Sequence, residues 1–254
     1  MKKLSLILLA CILVCASFKL QTAAKTNIVV AANLKTAMDS ILIVYKLDYP
    51  NEEVQVTYGS SGKFYEQILN GGPFDLFFSA DMNYPKKLKE SRFAISPVKL
   101  YAVGRLALWS KKLDPNTQQM NTLTDASIKK IAIANPSTAP YGTRAVEAMK
   151  YYKVYDQVKD NLVYGENIAQ CSQFVAFGAA DIGIIALSEA LSPLMKRKGG
   201  KYYIIPENSH AALEQGCVIL KHGKGNTSAT QFYNYISSEK AVNILTYFGY
   251  AQKI

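Results

Sequence analysis

Apolar and polar positions alternate with two different periods through the first third of the chain. Residues 28–32 form a short apolar run rich in β-branched side chains, and from Asn33 onward the apolar positions recur at helical spacing. Residues 54–58 alternate apolar with polar before a Gly-Ser-Ser-Gly turn, and residues 75–78 are typical of a buried strand. The pattern predicts three strand-helix units in succession, which build a parallel sheet covered by helices.

The same succession returns in the second half of the chain. Residues 131–134 predict a strand that leads to a helix beginning near Tyr141, and residues 162–164 predict a strand before a helix over 168–178. Residues 181–185 predict one more buried strand. Because a second set of units requires a second sheet, we expect two α/β lobes, which suits the length of the chain.

Two segments are predicted to connect the lobes. Residues 98–109 form a long, apolar, strand-like stretch between the two sets of units, and residues 217–220 predict a strand that returns after the second set. Residues 229–248 predict two short helices that finish the chain. The expected organisation is a first lobe over 25–102, a second lobe over 103–216, and a return to the first lobe over 217–254.

The first residues predict a secretory signal peptide. Two lysines precede an apolar run that ends at Phe18 and is short for a membrane span. Small residues up to Ala24 form a cleavage site, so we take residues 1–24 as the leader. A lipobox that ends at Cys11 is an alternative and would make this cysteine a lipid anchor. The hydrophobic core before it is short, which favours the soluble, exported form.

The charge of the mature chain favours anions. The leader contains three lysines and no acid, so the formal net charge falls from +10 for the whole chain to +7 after cleavage. A basic surface outside the cytosol attracts anionic ligands. The Lys and Arg residues are scattered and are not grouped on one element with aromatic residues, which argues against a nucleic-acid partner.

The sequence lacks the residue clusters that catalysis requires. His210 and His222 are its only histidines, it has no Gly-x-Ser-x-Gly motif, and no His, Cys and carboxylate cluster has metal-ligand spacing. We therefore expect a protein that is not an enzyme and uses no cofactor. Cys171 falls in a predicted helix and Cys217 at the start of a predicted strand, and the sequence allows either a disulfide or two buried free thiols.

Small polar residues or turns stand where the predicted strands give way to helices. A helix N-terminus presents unpaired N–H groups and the positive end of the helix dipole, so several together can hold an anion without any contact from Lys or Arg. An ordinary N-cap explains any one of these residues, whereas their combination predicts an oxyanion pocket. The residues are Asn33, Ser60, Ser61, Ser79 and the Tyr141-Gly142 turn.

Several motifs occur in a recognisable order. The most specific is the Asp-Leu-Phe-Phe-Ser-Ala-Asp block at 75–81, with the serine turn at 59–62 upstream. The others are Ala31-Ala32-Asn33-Leu34, Tyr141-Gly142 and Asp181-Ile182-Gly183-Ile184. In this order the chain resembles the periplasmic molybdate-binding proteins, and the resemblance spans nearly the whole mature chain.

The resemblance implies a periplasmic binding protein of type II, with two α/β lobes that are each a mostly parallel sheet flanked by helices. The ligand would lie in the cleft between the lobes, held by donors from Asn33 and Ser61 of lobe one and from Tyr141 and the backbone N–H of Ile168 of lobe two. The ligand would be molybdate or tungstate, whose metal is present only within the oxyanion and has no direct protein ligands. The implied partners of this periplasmic monomer are an inner-membrane ABC permease and its ATPase.

Two positions depart from the family pattern. A serine is common in the first loop where this chain has Asn33, and a tyrosine often follows the last strand of lobe two where this chain has Ala186. The phenol of Tyr141 could replace the donor that is lost at Ala186.

Charged residues lie close to the predicted site, just inside the same helices. Solvation at the helix surface is the favoured interpretation for all of them, and Arg144 is the first candidate if one reaches the ligand. These residues are Lys35, Lys63 and Arg144.

The same architecture is also compatible with sulfate or phosphate. A protonated phosphate usually requires an acceptor such as a carboxylate, whereas a fully ionised dianion requires donors only. The candidate residues are donors and include no acid, which favours a fully ionised dianion. Residue types do not separate molybdate from tungstate.

Overall fold

The computed structural model describes residues 25–252, and the predicted leader and the alternative lipid anchor at Cys11 lie outside them. Its strands are β1 (Lys25–Ala31), β2 (Glu53–Gly59), β3 (Leu76–Phe78), β4 (Lys99–Gly104), β5 (Leu106–Ser110), β6 (Ile131–Ala134), β7 (Leu162–Gly165), β8 (Ile182–Ala186), β9 (Lys201–Ile204) and β10 (Leu213–Ile219). Its α-helices are α1 (Lys35–Asp48), α2 (Ser61–Leu69), α3 (Asn83–Glu90), α4 (Pro115–Gln118), α5 (Pro140–Tyr151), α6 (Tyr155–Val158), α7 (Ile168–Ala176), α8 (Leu187–Ala190), α9 (Pro193–Lys198), α10 (Thr227–Tyr235) and α11 (Glu239–Tyr247).

The strands form two five-stranded sheets with the same topology, one in each lobe. The orders are β2-β1-β3-β10-β4 and β7-β6-β8-β5-β9. In the first sheet β1 pairs in parallel with β2 and β3, and β10 pairs antiparallel with β3 and β4. In the second sheet β6 pairs in parallel with β7 and β8, and β5 pairs antiparallel with β8 and β9. Four of the five strands in each sheet therefore run in one direction, as the predicted fold class requires.

Burial explains why these segments become strands and helices. The central strands β1 and β6 are buried almost throughout, because helices cover both faces of their sheets, and this is why they read as continuous apolar runs. Helix α1 buries Ala37, Met38, Ile41 and Tyr45, which share one face at helical spacing. The loops at the carboxyl ends of the parallel strands are thereby fixed in position.

The chain crosses between the lobes at Arg105 and through the segment 205–212. The predicted crossover stretch is two strands, because β4 pairs with β10 in the first sheet and β5 pairs with β8 in the second. The expected lobe limits at 102/103 and 216/217 fall inside β4 and β10. Periodicity marks a segment as a strand but does not record which sheet it joins.

The two cysteines of the described chain lie in separate cores. Cys171 is buried in the core of lobe two and Cys217 in a core of lobe one, and both thiols are free. Burial raises the pKa of each thiol to about 12. The structure therefore has two neutral, buried thiols and no disulfide between them.

A buried carboxyl group lies where the lobes pack together. Glu189 of α8 in lobe two is 8% exposed, and α8 contacts α1 of lobe one. Burial raises the pKa of Glu189 to about 7, while the Lys35 charge and a hydrogen bond with Ser172 oppose the rise and the Asp39 charge adds to it. The Glu189 carboxyl is therefore protonated in mildly acidic solution and ionises near neutrality.

We expect Glu189→Gln to remove a pH dependence of folding. The pKa of an unfolded Glu is about 4.3, below the folded value of about 7, so the folded state binds the proton more tightly. The stability from this proton is fully present below about pH 4 and is lost as the pH rises through about 7, by on the order of 3 kcal/mol at 1.36 kcal/mol per pH unit. Denaturant unfolding between pH 4 and pH 8 should show this loss in the wild type and not in the variant.

The control for this change is Glu90→Gln, at an exposed position at the end of α3. It should retain the wild-type dependence of the free energy of unfolding on pH. Parallel curves for the wild type and Glu189→Gln would contradict the prediction.

Candidate functional site

A small cavity lies between the lobes at the carboxyl ends of strands from both sheets. The empty space among its walls is about 200 Å³, which includes space open to solvent, so the enclosed part is small and suits a ligand of a few atoms. All four predicted site residues line it, two from each lobe. The lining residues are Ala31, Ala32, Asn33, Gly59, Ser60, Ser61, Ala80, Ala139, Pro140, Tyr141, Asn167 and Ile168.

Asn33 enters the site from a 3-10 turn over Ala32–Leu34. The predicted N-cap role of Asn33 is wrong, because this turn follows β1 directly and α1 begins only at Lys35. The Asn33 Nδ2 donates to Gln215 Oε1 and to the Tyr250 hydroxyl, at 2.9 Å in each case. The Asn33 Oδ1 is buried and has no hydrogen-bond partner within residues 25–252.

Two adjacent serines present hydroxyl groups at the start of α2. Ser60 holds the N-cap position in an extended conformation but makes no capping hydrogen bond, and its buried Oγ has no partner among the described residues. The Ser61 Oγ accepts the Ala80 N–H at 3.0 Å, which leaves the Ser61 hydroxyl hydrogen free to donate. Ser60, which the sequence analysis treated only as a helix cap, therefore lines the cavity beside the predicted Ser61.

Tyr141 reaches from lobe two to lobe one. Helix α5 begins at Pro140, so the Tyr141 N–H lies in the first turn and has no partner within its helix. The Tyr141 phenol oxygen accepts a hydrogen bond from Gln215 Nε2 at 3.1 Å. Burial raises the pKa of Tyr141 well above its usual value, so the hydroxyl keeps its proton and can donate it to a further acceptor.

Ile168 is the first residue of α7. Asn167 caps this helix by accepting the Gln170 N–H on its side-chain oxygen at 3.1 Å. Because only one of the first N–H groups is used in this way, the Ile168 N–H remains a donor at the cavity wall. The Ile168 side chain is 4% exposed and packs in the core of lobe two, so the residue can contribute its backbone without any polar side chain.

The wall of the cavity carries no formal charge. None of the candidate cations lines it, and no Asp, Glu, His or Cys of the described chain does so either. The first candidate, Arg144, is instead 2.5 Å from a carboxylate oxygen on its own helix. Each of the three candidate cations is paired with a carboxylate: Lys35 with Asp39, Lys63 with Glu166, and Arg144 with Glu147.

Ser79, the remaining predicted cap, stabilises its own turn. Its Oγ donates to Asp81 Oδ1 at 3.0 Å, and its neighbour Ala80 lines the cavity in its place.

Two residues that the sequence analysis missed accept hydrogen bonds from the Asn33 side chain, and these are Gln215 and Tyr250. They lie 182 and 217 residues away from Asn33 along the chain, so no local pattern could have identified them.

Direct contacts close the cleft. The Gly62 N–H donates to the Thr138 carbonyl across it at 2.8 Å, and Lys63 Nζ lies 2.7 Å from Glu166 Oε1 at its rim. At the back, the Ser188 hydroxyl donates to the Asn33 carbonyl at 2.8 Å. A Cβ on Gly62 would lie 2.8 Å from the Thr138 carbonyl oxygen, so this glycine permits the close approach.

Two features are absent from the described residues. No helix within residues 25–252 is long and apolar enough to cross a membrane. The same residues contain no group of three or more His, Cys, Asp or Glu side chains that could hold a metal ion.

Comparison with known proteins agrees with this architecture. Residues 26–251 match the model of the bacterial extracellular solute-binding proteins. The molybdate-binding protein ModA of Azotobacter vinelandii is 36% identical over 229 residues, which is 90% of each chain. The molybdate-binding protein ModA of Rhodobacter capsulatus is 34% identical over 199 residues, 78% of this chain and 77% of that protein.

A solved structure has the same fold. The periplasmic molybdate-binding protein of Azotobacter vinelandii superposes with a TM-score of 0.83 at 29% identity, over 90% of this chain and all of the other. This similarity confirms the predicted two-lobed fold of type II. With a family match across almost all of the described residues and a cleft between two such lobes, this chain belongs to the bacterial extracellular solute-binding proteins.

Proposed function

We propose that this chain captures molybdate or tungstate between its lobes and delivers the oxyanion to an ABC importer. The observation that carries the proposal is the convergence of neutral donors from both lobes on a small cavity whose wall has no acidic side chain. A fully ionised tetrahedral dianion accepts hydrogen bonds and donates none, and helix N-termini supply such donors. The names of the relatives support molybdate as the anion.

Each site residue has a distinct role in this proposal. Ser61 and the free hydroxyl of Ser60 donate from lobe one, and Asn33 joins them with its amide turned so that Nδ2, which now donates to Gln215 and Tyr250, faces the cavity. Tyr141 and Ile168 donate their backbone N–H groups from lobe two. The dianion is cargo and not a cofactor, and the metal within it has no direct protein ligand.

Delivery requires the lobes to open and close. The dianion contacts donors from both lobes only when they approach each other, so binding shifts the population toward the closed form. We infer that the importer, an inner-membrane permease with its ATPase, recognises the closed form. The chain would act in the periplasm as a monomer without catalytic activity, after cleavage of the leader behind Ala24.

One observation favours phosphate as a second candidate. The unpartnered Asn33 Oδ1 is an acceptor at the cavity, and a protonated oxyanion has a hydroxyl group that could donate to it. Sulfate requires the same donors as molybdate but is smaller, so the size of the closed cavity would decide against it.

The first experiment is calorimetric titration of residues 25–254 with molybdate, tungstate, sulfate and phosphate near neutral pH. We expect tight one-to-one binding of the first two, because they are fully ionised and match a wall of neutral donors without an acidic side chain. Binding of sulfate or phosphate without molybdate or tungstate would overturn the substrate and leave the architecture intact.

Ser60→Ala separates a role in binding from a role in folding. The Ser60 Oγ has no protein partner in the described chain, so its removal should leave the free energy of unfolding unchanged or slightly higher. Hydrogen bonds to charged groups contribute about 1.5–3 kcal/mol, so the Kd for molybdate should rise at least about tenfold. Thr122→Val, which removes another buried, unpartnered hydroxyl away from the cavity, should leave the Kd unchanged. A wild-type Kd for Ser60→Ala would remove Ser60 from the site.

Gly62→Ala tests closure of the cleft. The added Cβ would meet the backbone of Thr138 at 2.8–3.0 Å only while the lobes are closed. It would also lie 2.7 Å from the Tyr84 hydroxyl of lobe one, which is the far end of a flexible side chain and can shift, so the ligand-free protein should still fold. Overpacking of this kind costs about 1–3 kcal/mol, which should raise the Kd for molybdate about fivefold or more. Small-angle scattering should also show a smaller compaction at a fixed molybdate concentration. The control is Gln67→Ala, on the exposed face of the same helix, which should compact as the wild type does. If Gly62→Ala also compacts as much as the wild type, Gly62 is not required for closure of the cleft.

A further inference from the structure

A single buried amide group connects the side chains of the two lobes at the cavity. Gln215 of β10 is fully buried, and its strand has an irregular register at Gln215 and Gly216. The Gln215 Nε2 donates to the Tyr141 oxygen at 3.1 Å. Its Oε1 accepts from Asn33 Nδ2 and from the Tyr101 hydroxyl, at 2.9 Å in each case. Gln215 does not line the cavity, so it can act on a ligand only through these neighbours.

In this arrangement Tyr141 offers the cavity a donor, its hydroxyl hydrogen, and Asn33 offers it an acceptor, its side-chain oxygen. Gln215 donates to the Tyr141 oxygen, so the Tyr141 hydrogen is free to point at a ligand. Both Asn33 Nδ2 hydrogens are used by Gln215 and Tyr250, which leaves Asn33 Oδ1 without a partner in the described chain. A ligand with its own hydroxyl hydrogen would satisfy that oxygen, whereas a fully ionised dianion would be repelled by it.

A second arrangement of the same atoms satisfies the network without such a ligand, provided that the Tyr250 hydroxyl turns from the Asn33 carbonyl, which still accepts from Ser188, to Asn33 Oδ1. Rotating the Asn33 and Gln215 amides together by half a turn exchanges O and N in each, within nearly the same volume. Gln215 Nε2 then donates to Asn33 Oδ1 and to the Tyr101 oxygen, while the Tyr101 hydroxyl donates to the Ser79 carbonyl 3.0 Å away. The rotated Gln215 Oε1 accepts the Tyr141 hydrogen. Asn33 Nδ2 is now the group that faces the cavity, and no amide oxygen does.

We propose that Gln215 is a positioning residue that couples the atom of the Asn33 amide that faces the cleft to the direction of the Tyr141 hydroxyl, and thereby lets the site hold a fully ionised oxyanion more tightly than a protonated one. The single amide of Gln215 bonds to both Asn33 and Tyr141. The Asn33 amide therefore cannot rotate unless the Tyr141 hydroxyl also changes its direction. The fully ionised dianion selects the second arrangement, and a protonated oxyanion selects the first. This inference rests on the proposed function, since it assumes that the cavity holds an oxyanion.

The test compares Gln215→Met with the wild-type mature protein, residues 25–254, using molybdate and phosphate as the two probes near neutral pH. Methionine has a similar length and cannot hydrogen-bond as an amide does, so Asn33 and Tyr141 lose their common partner. We expect the Kd for molybdate to rise at least about tenfold and that for phosphate to change much less, so that the selectivity falls about tenfold. If the role of Gln215 were purely structural, the Kd values for molybdate and phosphate would rise by the same factor.

The matched control is Ser96→Ala. The Ser96 hydroxyl accepts the Ile219 N–H of the same strand at 2.9 Å and does not line the cavity, so its loss should lower stability without altering selectivity. A selectivity ratio for Gln215→Met within about threefold of the wild type overturns the inference. The selectivity ratio can be measured whichever anion the wild type prefers. A wild type that prefers phosphate would refute the proposed function, and the change in the ratio for Gln215→Met would still decide the inference. Failure to bind either anion would refute both.

The side-chain amide signals in NMR spectra provide a second readout. The Asn33 and Gln215 NH₂ resonances, assigned with Asn33→Ser and Gln215→Met, should shift together when molybdate saturates the wild type. In Gln215→Met the shift of the Asn33 resonance should be smaller. A molybdate-induced shift of Asn33 with Gln215 unchanged would contradict the coupled rotation.

Discussion

The buried hydrogen bonds around Asn33 are the contact on which the closed arrangement of the lobes depends. Its carbonyl accepts from Ser188 of lobe two, and its amide is held by Gln215 and Tyr250 of lobe one. A buried polar group without a partner costs about 1–3 kcal/mol, so the groups on both sides favour the one approach that pairs them. The two lobes therefore meet in a defined geometry, although each has its own apolar core.

That geometry follows from the shared topology of the sheets. In each lobe the parallel strands end at the cleft, and the turns or helices that follow begin there with N–H groups that have no partner within the element. Two such lobes facing each other surround a small space with donors from both sides. The Ser60 hydroxyl at the edge of this space has no partner among the described residues, so an anion that accepted from it would replace no protein hydrogen bond there.

The positive charge of the protein and the neutrality of its cavity serve different purposes. Residues 25–254 have a formal net charge of +7, and positive charge attracts anions over a range limited by salt. Near the cavity, the cations are already paired with carboxylates, as Lys63 is with Glu166. In the proposed function, oriented neutral dipoles hold the dianion in the low dielectric of the closed cleft, and water that enters when the lobes part weakens these interactions.

The sequence by itself determined the two α/β lobes, because apolar periodicity and turn residues are local and each strand and helix carries its own signal. It also placed Asn33, Ser61, Tyr141 and Ile168 after predicted strands as candidates for the site, and the structure brings these four to the wall of one cavity.

Other features were decided only by the tertiary structure. The 3-10 turn at Asn33, the ion pair of Arg144 and the split of the crossover strand at Arg105 depend on contacts between distant segments. The same holds for Gln215 and Tyr250, which support the site from strand β10 and the carboxyl-terminal tail. Hydrogen-bond partners are chosen by proximity in space, and proximity across some two hundred residues exists only after the sheets have formed.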